Sequence, residues 1–162
     1  MDKVLVGAAS RHGSTDELAR AIGSVVAGYG LSVEVRRLED VETVDPYDAL
    51  VLGSAVYMGS WLKVARRFVE QHGEGIRSRP TWLFSSGPVG AGETEFNPAY
   101  LVAATGAREH HLFGGRIVRA SLGPYERAIA RLVHAHDVDN REWAAVMAWS
   151  TAIARTLTER AA

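Results

Sequence analysis

Near its start the chain carries Val4-Leu5-Val6-Gly7-Ala8-Ala9, a run with no polar side chain that opens directly into Ser10-Arg11-His12-Gly13-Ser14-Thr15. A strand with one wet face alternates apolar and polar residues. An unbroken run of this length instead predicts a parallel strand covered on both faces. Leu18, Ile22, Val25, Val26 and Tyr29 follow as one helical stripe over residues 15–29, and Gly28 and Gly30 supply a stop. Strand, loop and crossover helix in that order place the chain in the α/β class.

The same alternation continues to the C-terminus. Val33 and Val35 alternate with Glu34 and Arg36, which suits an edge strand, whereas Ala49-Leu50-Val51-Leu52 is unbroken and reads as central. A helix is expected over about residues 60–71, with Leu62, Ala65, Phe68 and Val69 inward. Thr81-Trp82-Leu83-Phe84 makes a fourth strand ending at Ser85-Ser86-Gly87, and Asn97-Pro98 caps a short helix. His111-Leu112-Phe113 and Ile117-Val118 flank Gly114-Gly115, the pattern of a fifth strand with a bulge. The last helix begins at Asp139 or Asn140, with Glu142 placed for a capping box, and buries Trp143, Val146, Ile153 and Leu157. The expectation is one doubly wound domain over residues 1–162, with five parallel strands and helices on both faces. Ligands of such sheets bind at the carboxyl ends of the strands, where the winding reverses.

Composition removes several function classes. In 162 residues, 18 basic and 19 acidic side chains nearly cancel, so no electrostatic footprint for nucleic acid exists. With no cysteine there is no disulfide framework, thiolate nucleophile or Cys-ligated metal. The apolar stretches are too short for a transmembrane segment, and the first residues do not read as a secretory signal, so the expected location is cytoplasmic. His110-His111 and His134-x-His136 lack a neighbouring carboxylate or thiol to complete a metal site, and no metal is expected. Ser85-Ser86 has no obvious partner base and no Gly-x-Ser-x-Gly elbow is present, which argues against hydrolase chemistry. Ala8-Ala9 stand where a phospho-receiver domain needs acids.

Three loops at the strand ends carry the unusual chemistry. Ser10, Arg11, His12, Gly13, Ser14 and Thr15 bring hydroxyls, a guanidinium, an imidazole and helix N-terminal amides to one turn, the donor set of a phosphate socket. It lacks the Gly-Lys-Ser/Thr of a Walker A loop. A plainer reading makes Ser14 an N-cap and Glu17 its capping-box partner. After the central strand, Gly53-Ser54-Ala55-Val56-Tyr57-Met58-Gly59-Ser60-Trp61 forms a lip in which Tyr57 or Trp61 could stack on a flat ring. Trp61 reads equally as the first core anchor of the following helix. The third loop, Ser85-Ser86-Gly87-Pro88-Val89-Gly90, offers backbone amides to the polar edge of the same ring. Together they meet the shape requirements of a flavin mononucleotide site.

On these residues the chain resembles the flavodoxin-like proteins, and within them the single-domain branch that includes the menaquinone-dependent protoporphyrinogen dehydrogenases. Ser10-x-x-Gly13-x-Thr15 matches the phosphate loop, Val51 through Gly59 the second flavin loop, and Leu83 through Pro88 the third. Leu112 to Gly115 and Asp139-x-Arg141-x-Trp143 resemble the dehydrogenase branch more than ordinary flavodoxin. The resemblance implies strand order 2-1-3-4-5, bound FMN and a redox function with no catalytic acid or base identified. Its partners would be small electron donors or acceptors, such as a porphyrinogen or a quinone. Residues 10–15 would hold the phosphate. Ser54, Ala55, Val56, Tyr57, Met58, Gly59 and Trp61 would pass beside the isoalloxazine, and Ser85, Ser86, Gly87, Pro88 and Gly90 would line its other edge. The chain departs from flavodoxin at His12, where a hydroxyl is usual, and at Pro88-Val89, where a stacking aromatic often stands. A non-enzymatic electron carrier is the alternative.

Residues 122–136 add an amphipathic segment, with Leu122, Tyr125, Ile129, Leu132 and Val133 on one face and Arg127 and Arg131 on another. It is read as a lid, as a peripheral contact with a membrane at the inner face, or as plain packing on the sheet edge or in a homodimer.

Overall fold

The structure is a computed structural model that describes residues 3–11, 13–87, 96–114 and 140–161. Six strands and four helices are defined among them: β1 (Lys3–Ala9), α1 (Ser14–Ala27), β2 (Ser32–Arg37), β3 (Ala49–Tyr57), β4 (Ser60–Trp61), α2 (Lys63–Arg77), β5 (Thr81–Gly87), α3 (Ala99–Thr105), β6 (Glu109–Gly114) and α4 (Asn140–Ala161). The main sheet runs β2-β1-β3-β5-β6 and is parallel throughout, while β4 pairs only with the end of β3, antiparallel. Counted without β4, the strands lie in the expected order 2-1-3-4-5. The chain steps outward from β1 to β2, then returns past β1 to β3, so the winding reverses between β1 and β3.

The apolar run of β1 is explained by what covers each face. Val4, Val6 and Ala8 enter one core with Leu18 and Ile22 of α1, Phe84, Phe113, and Val146, Trp149 and Ile153 of α4. Leu5 and Ala9 point the other way, into a second core with Leu50, Leu52, Leu83, Phe68, Ile76 and Leu101. Each fully buried Leu or Val contributes roughly 1.5–3 kcal/mol by leaving water, and neither face of β1 could accept a charge without losing it. The alternating β2 is the edge strand, partly exposed along its length.

Three boundaries differ from the sequence-based expectation. Helix α2 begins at Lys63 rather than Ser60, because Ser60-Trp61 extends the sheet as β4. The N-cap of α1 is Gly13 in a left-handed conformation (φ 87°), so Ser14 is the first helical residue rather than the N-cap and the Ser14–Glu17 capping box does not form. Strand β6 spans Glu109–Gly114, and Ile117-Val118, the start of the last helix at Asp139 and the segment 122–136 lie outside the described residues. The short helix α3 follows expectation: Ala99 N–H donates to Asn97 Oδ1 at 2.9 Å just after Pro98.

Gly53 has a packing reason. A Cβ there would collide with the Phe84 ring, which is fully buried and cannot retreat. Gly53→Ala is therefore expected to destabilise by about 1–3 kcal/mol through overpacking, lowering the melting temperature by roughly 3–10 °C. Thermal unfolding followed by circular dichroism checks this.

Candidate functional site

The carboxyl ends of the strands are level. Ala9 lies beside Ser54, Ser54 beside Ser85, and Ser85 beside Leu112, so the turn after β1, the β3–β4 hairpin and the end of β5 open on one crevice. All three sequence-derived loops therefore start at the same edge, at the reversal of winding.

In the first turn the Thr15 N–H donates to Ser10 Oγ at 3.3 Å, and Glu17 N–H donates to the Gly13 carbonyl at 3.2 Å. Gly13 takes a positive φ that strains any residue with a Cβ, and a Cβ added there would meet nothing within 4 Å. Thr15 is 1% exposed and its Oγ1 has no hydrogen-bond partner. A buried hydroxyl without a partner costs about 1–3 kcal/mol, and here it sits in the first turn of a helix whose N-terminal amides and dipole favour an anion. Oxygen-rich anions suit this donor set. Asp16, in the same helical turn, is paired with Arg37 at 3.5 Å, which partly offsets its charge; burial nevertheless raises its carboxyl above the usual range. His12 lies outside the described residues.

Arg11, expected as a phosphate ligand, makes a ring contact. Its guanidinium lies over the Tyr57 ring, 4.1 Å from the centroid, and ties the first turn to the hairpin. Tyr57 is 49% exposed. Trp61 is 1% exposed, and its indole belongs to the second core, as the core-anchor reading has it. The residues between them make a two-residue hairpin turn, Met58 (φ 52°) and Gly59 (φ 75°), with Tyr57 opposite Ser60 and Val56 opposite Trp61. Positive φ at both central positions is the type I′ geometry that matches strand twist. Ser54 closes the base of the hairpin, accepting from Leu62 N–H at 3.0 Å and donating to the Ala55 carbonyl at 2.8 Å.

At the end of β5 the structure corrects the statement that Ser85 has no partner base. Trp61 Nε1–H donates to Ser85 Oγ at 2.7 Å, and Ser85 Oγ lies 2.7 Å from His110 Nε2. An indole nitrogen can only donate, so Ser85 Oγ accepts from Trp61 and shares its second hydrogen bond with His110 Nε2. Burial, with a smaller repulsion from His111, lowers the His110 pKa to about 4 and keeps the ring neutral. Ser85 is fully buried with its hydroxyl committed on both sides, so it is not presented to a substrate as a nucleophile. Period-two alternation puts His110 and Ser85 on one face of the sheet, but the β5–β6 register that brings them together has no signature in the sequence. His111 faces the other core, against Phe113 and Trp149. Among the described residues no cluster of His, Asp or Glu could hold a metal ion. Ser86 and Gly87 complete β5, while Pro88 and Gly90 lie outside the described residues.

Comparison with known proteins agrees with this geometry. A family model described as "Flavodoxin domain" matches residues 5–142. The protoporphyrinogen IX dehydrogenase [quinone] of Escherichia coli (strain K12) is 26% identical over 85 residues, 51% of this chain and 47% of that protein. The chain thus spans about half the length of the curated relatives it matches. An archaeal flavodoxin superposes with a TM-score of 0.64 at 16% identity, covering 96% of this chain and 99% of the other. The two-electron reduced flavodoxin of Megasphaera elsdenii gives 0.57 at 25% identity, covering 69% and 85%.

The neutral His110 sets a pH dependence. Its folded pKa of about 4 lies below the ordinary value of 6.5, so between those values the unfolded chain binds more protons and stability falls as the pH drops. Above 6.5 this contribution is constant, and below 4 its loss is complete. Denaturant midpoints at pH 7 and pH 4.5 should fall further for the wild type than for His110→Gln; equal falls would remove the relay from the account.

Proposed function

This chain belongs to the flavodoxin domain family, and on that premise we propose that it is an FMN-dependent oxidoreductase of the quinone-linked kind. It takes electrons or hydride from a small organic donor, for which a porphyrinogen is the model, and delivers them to a quinone or another small acceptor. FMN is the cofactor that the family membership gives. The dehydrogenase role draws support from the Escherichia coli relative, similar over half the chain, and a cytoplasmic location at the inner membrane face belongs to the same proposal.

The observation that carries the reading is the buried, partnerless hydroxyl of Thr15 in the first turn of α1. A phosphate monoester would satisfy that hydroxyl, the Ser10 and Ser14 hydroxyls and the free amides of the first turn of α1, each with a charge-assisted bond. Tyr57 offers the ring beside which an isoalloxazine would lie, with Arg11 as a fixed cation next to it. Gly59 lets the backbone come close at the hairpin turn. When bound, the flavin supplies the electron and hydride chemistry, which no side chain here could perform. The protein's part is to anchor the phosphate end, hold one wall of the crevice through the sheet-borne hairpin, and keep His110 neutral beneath it. The hydroxyl–imidazole pair, with the Trp61 indole on its other side, fixes the hairpin against β5 and β6.

Thr15→Val tests the socket. Removing a buried hydroxyl that bonds to nothing should leave the melting temperature of the apoprotein unchanged or raised. FMN binding should weaken by roughly 10- to 150-fold, the loss of one charged hydrogen bond, while riboflavin, which lacks the phosphate, binds both forms alike. Fluorescence titration with the two ligands reads this directly. Donor-dependent bleaching of the flavin, followed by its reoxidation with a soluble quinone, separates the enzyme from an electron carrier.

A further inference from the structure

Between α1 and the edge strand lies a cleft of about 420 Å³, lined by Asp16, Ala19 and Arg20 of the helix and Val35, Arg36 and Arg37 of β2. Three of these six side chains are guanidinia and one is acidic, in a chain whose charges otherwise nearly cancel. Like charges gathered in one cleft repel each other, and an anion is what relieves them.

How the arginines are held decides what they offer. Arg20 Nε–H donates to the Asp16 carbonyl at 3.4 Å, and Arg37 Nε lies 3.5 Å from Asp16 Oδ2. Each contact uses the inner nitrogen, and the terminal nitrogens of both forks have no hydrogen bond or ion pair among the described residues. Asp16, with its side chain 14% exposed, anchors the two together. Arg36 is held more loosely, its Nη1 3.9 Å from Glu34 Oε2. Two anchored guanidinia with unused terminal nitrogens can each take a pair of phosphate oxygens. Val35, 40% exposed, adds an apolar surface to the same cleft. The place matters as much as the chemistry. Asp16 directly follows Thr15, whose buried hydroxyl marks the phosphate socket, and Arg37 ends β2 beside Ala8 of β1. In doubly wound sheets, the carboxyl end of the strand after the first helix is where the second half of a dinucleotide is read.

We infer that the socket and this cleft together accept a flavin bearing two phosphates, so that the chain binds flavin adenine dinucleotide (FAD) at least as tightly as FMN. Arg20 and Arg37 take the second phosphate, and Val35 meets the nucleoside beyond it. FMN, with one phosphate, fills the socket and leaves the two forks unused. The inference rests on the flavin reading of the first turn of α1 and extends it from one phosphate to two.

Isothermal titration calorimetry of the flavin-free chain with FMN and with FAD reads the inference as a ratio of two affinities. The wild type should bind FAD no more weakly than FMN. Arg20→Gln with Arg37→Gln should lower the FAD-to-FMN affinity ratio by roughly 10- to 150-fold, the loss of at least one charged hydrogen bond. A general loss of positive field would instead weaken both ligands alike and leave the ratio where it was. FMN binding by the double variant, with an unchanged circular dichroism spectrum, shows that it folds. Should it not fold, Arg20→Gln alone, at an exposed position held by one contact, should lower the ratio in the same direction. Wild-type binding of FAD about tenfold or more weaker than that of FMN, or a ratio unmoved by the substitutions, overturns the inference and leaves the FMN reading standing. A chain that binds neither flavin defeats both.

Discussion

Burial of the central strands on both faces is the constraint from which the rest follows. Val4, Leu5 and Val6 are fully buried although they point alternately to opposite sides, so helices must lie on both sides of the sheet. With right-handed crossovers, two covered faces can be produced only if the winding reverses, and the reversal leaves the loops after β1 and β3 diverging at the carboxyl edge. The crevice is thus a by-product of covering apolar surface. The start of α1, whose N-terminal amides and dipole favour an anion, lies at that edge.

That geometry ties stability and function together at two points. Gly53 is small because Phe84 fills the space a Cβ would need, and the strand carrying Gly53 is also the one that delivers Tyr57 to the crevice. Ser85 Oγ is held between the Trp61 indole and the His110 imidazole, so the end of β5 and the hairpin share one polar contact inside an otherwise apolar core. A half-satisfied polar group there would be costly. Satisfied on both sides, it fixes the hairpin's position against β5 and β6.

Much of this was legible in the residues. The unbroken runs of β1, β3 and β5, the alternation in β2 and the helical stripe of α1 gave class, central and edge strands, and the three loops, because two-sided burial writes itself as continuous hydrophobicity. What stayed hidden depends on register and on competition between neighbours. The hairpin was missed because Ser60-Trp61 continues smoothly into a helical pattern, and Met58-Gly59 is not the Asn-Gly pair that announces a type I′ turn. Trp61 looked equally able to stack or to anchor; its indole N–H found Ser85, and burial decided. The capping box failed because Gly13, in a left-handed conformation, took the N-cap in place of Ser14. The Ser85–His110 pair required knowing which residue of β6 lies beside which residue of β5.

Strand β3, at nine residues, outlasts its neighbours and doubles back on itself through β4. One side of the crevice is consequently an extension of the sheet rather than an independent loop. Swinging it aside would mean parting ladder bonds and drawing an indole out of the interior. A molecule arriving there meets a jamb, not a door, and any choice among ligands made on that side is made by fixed shape.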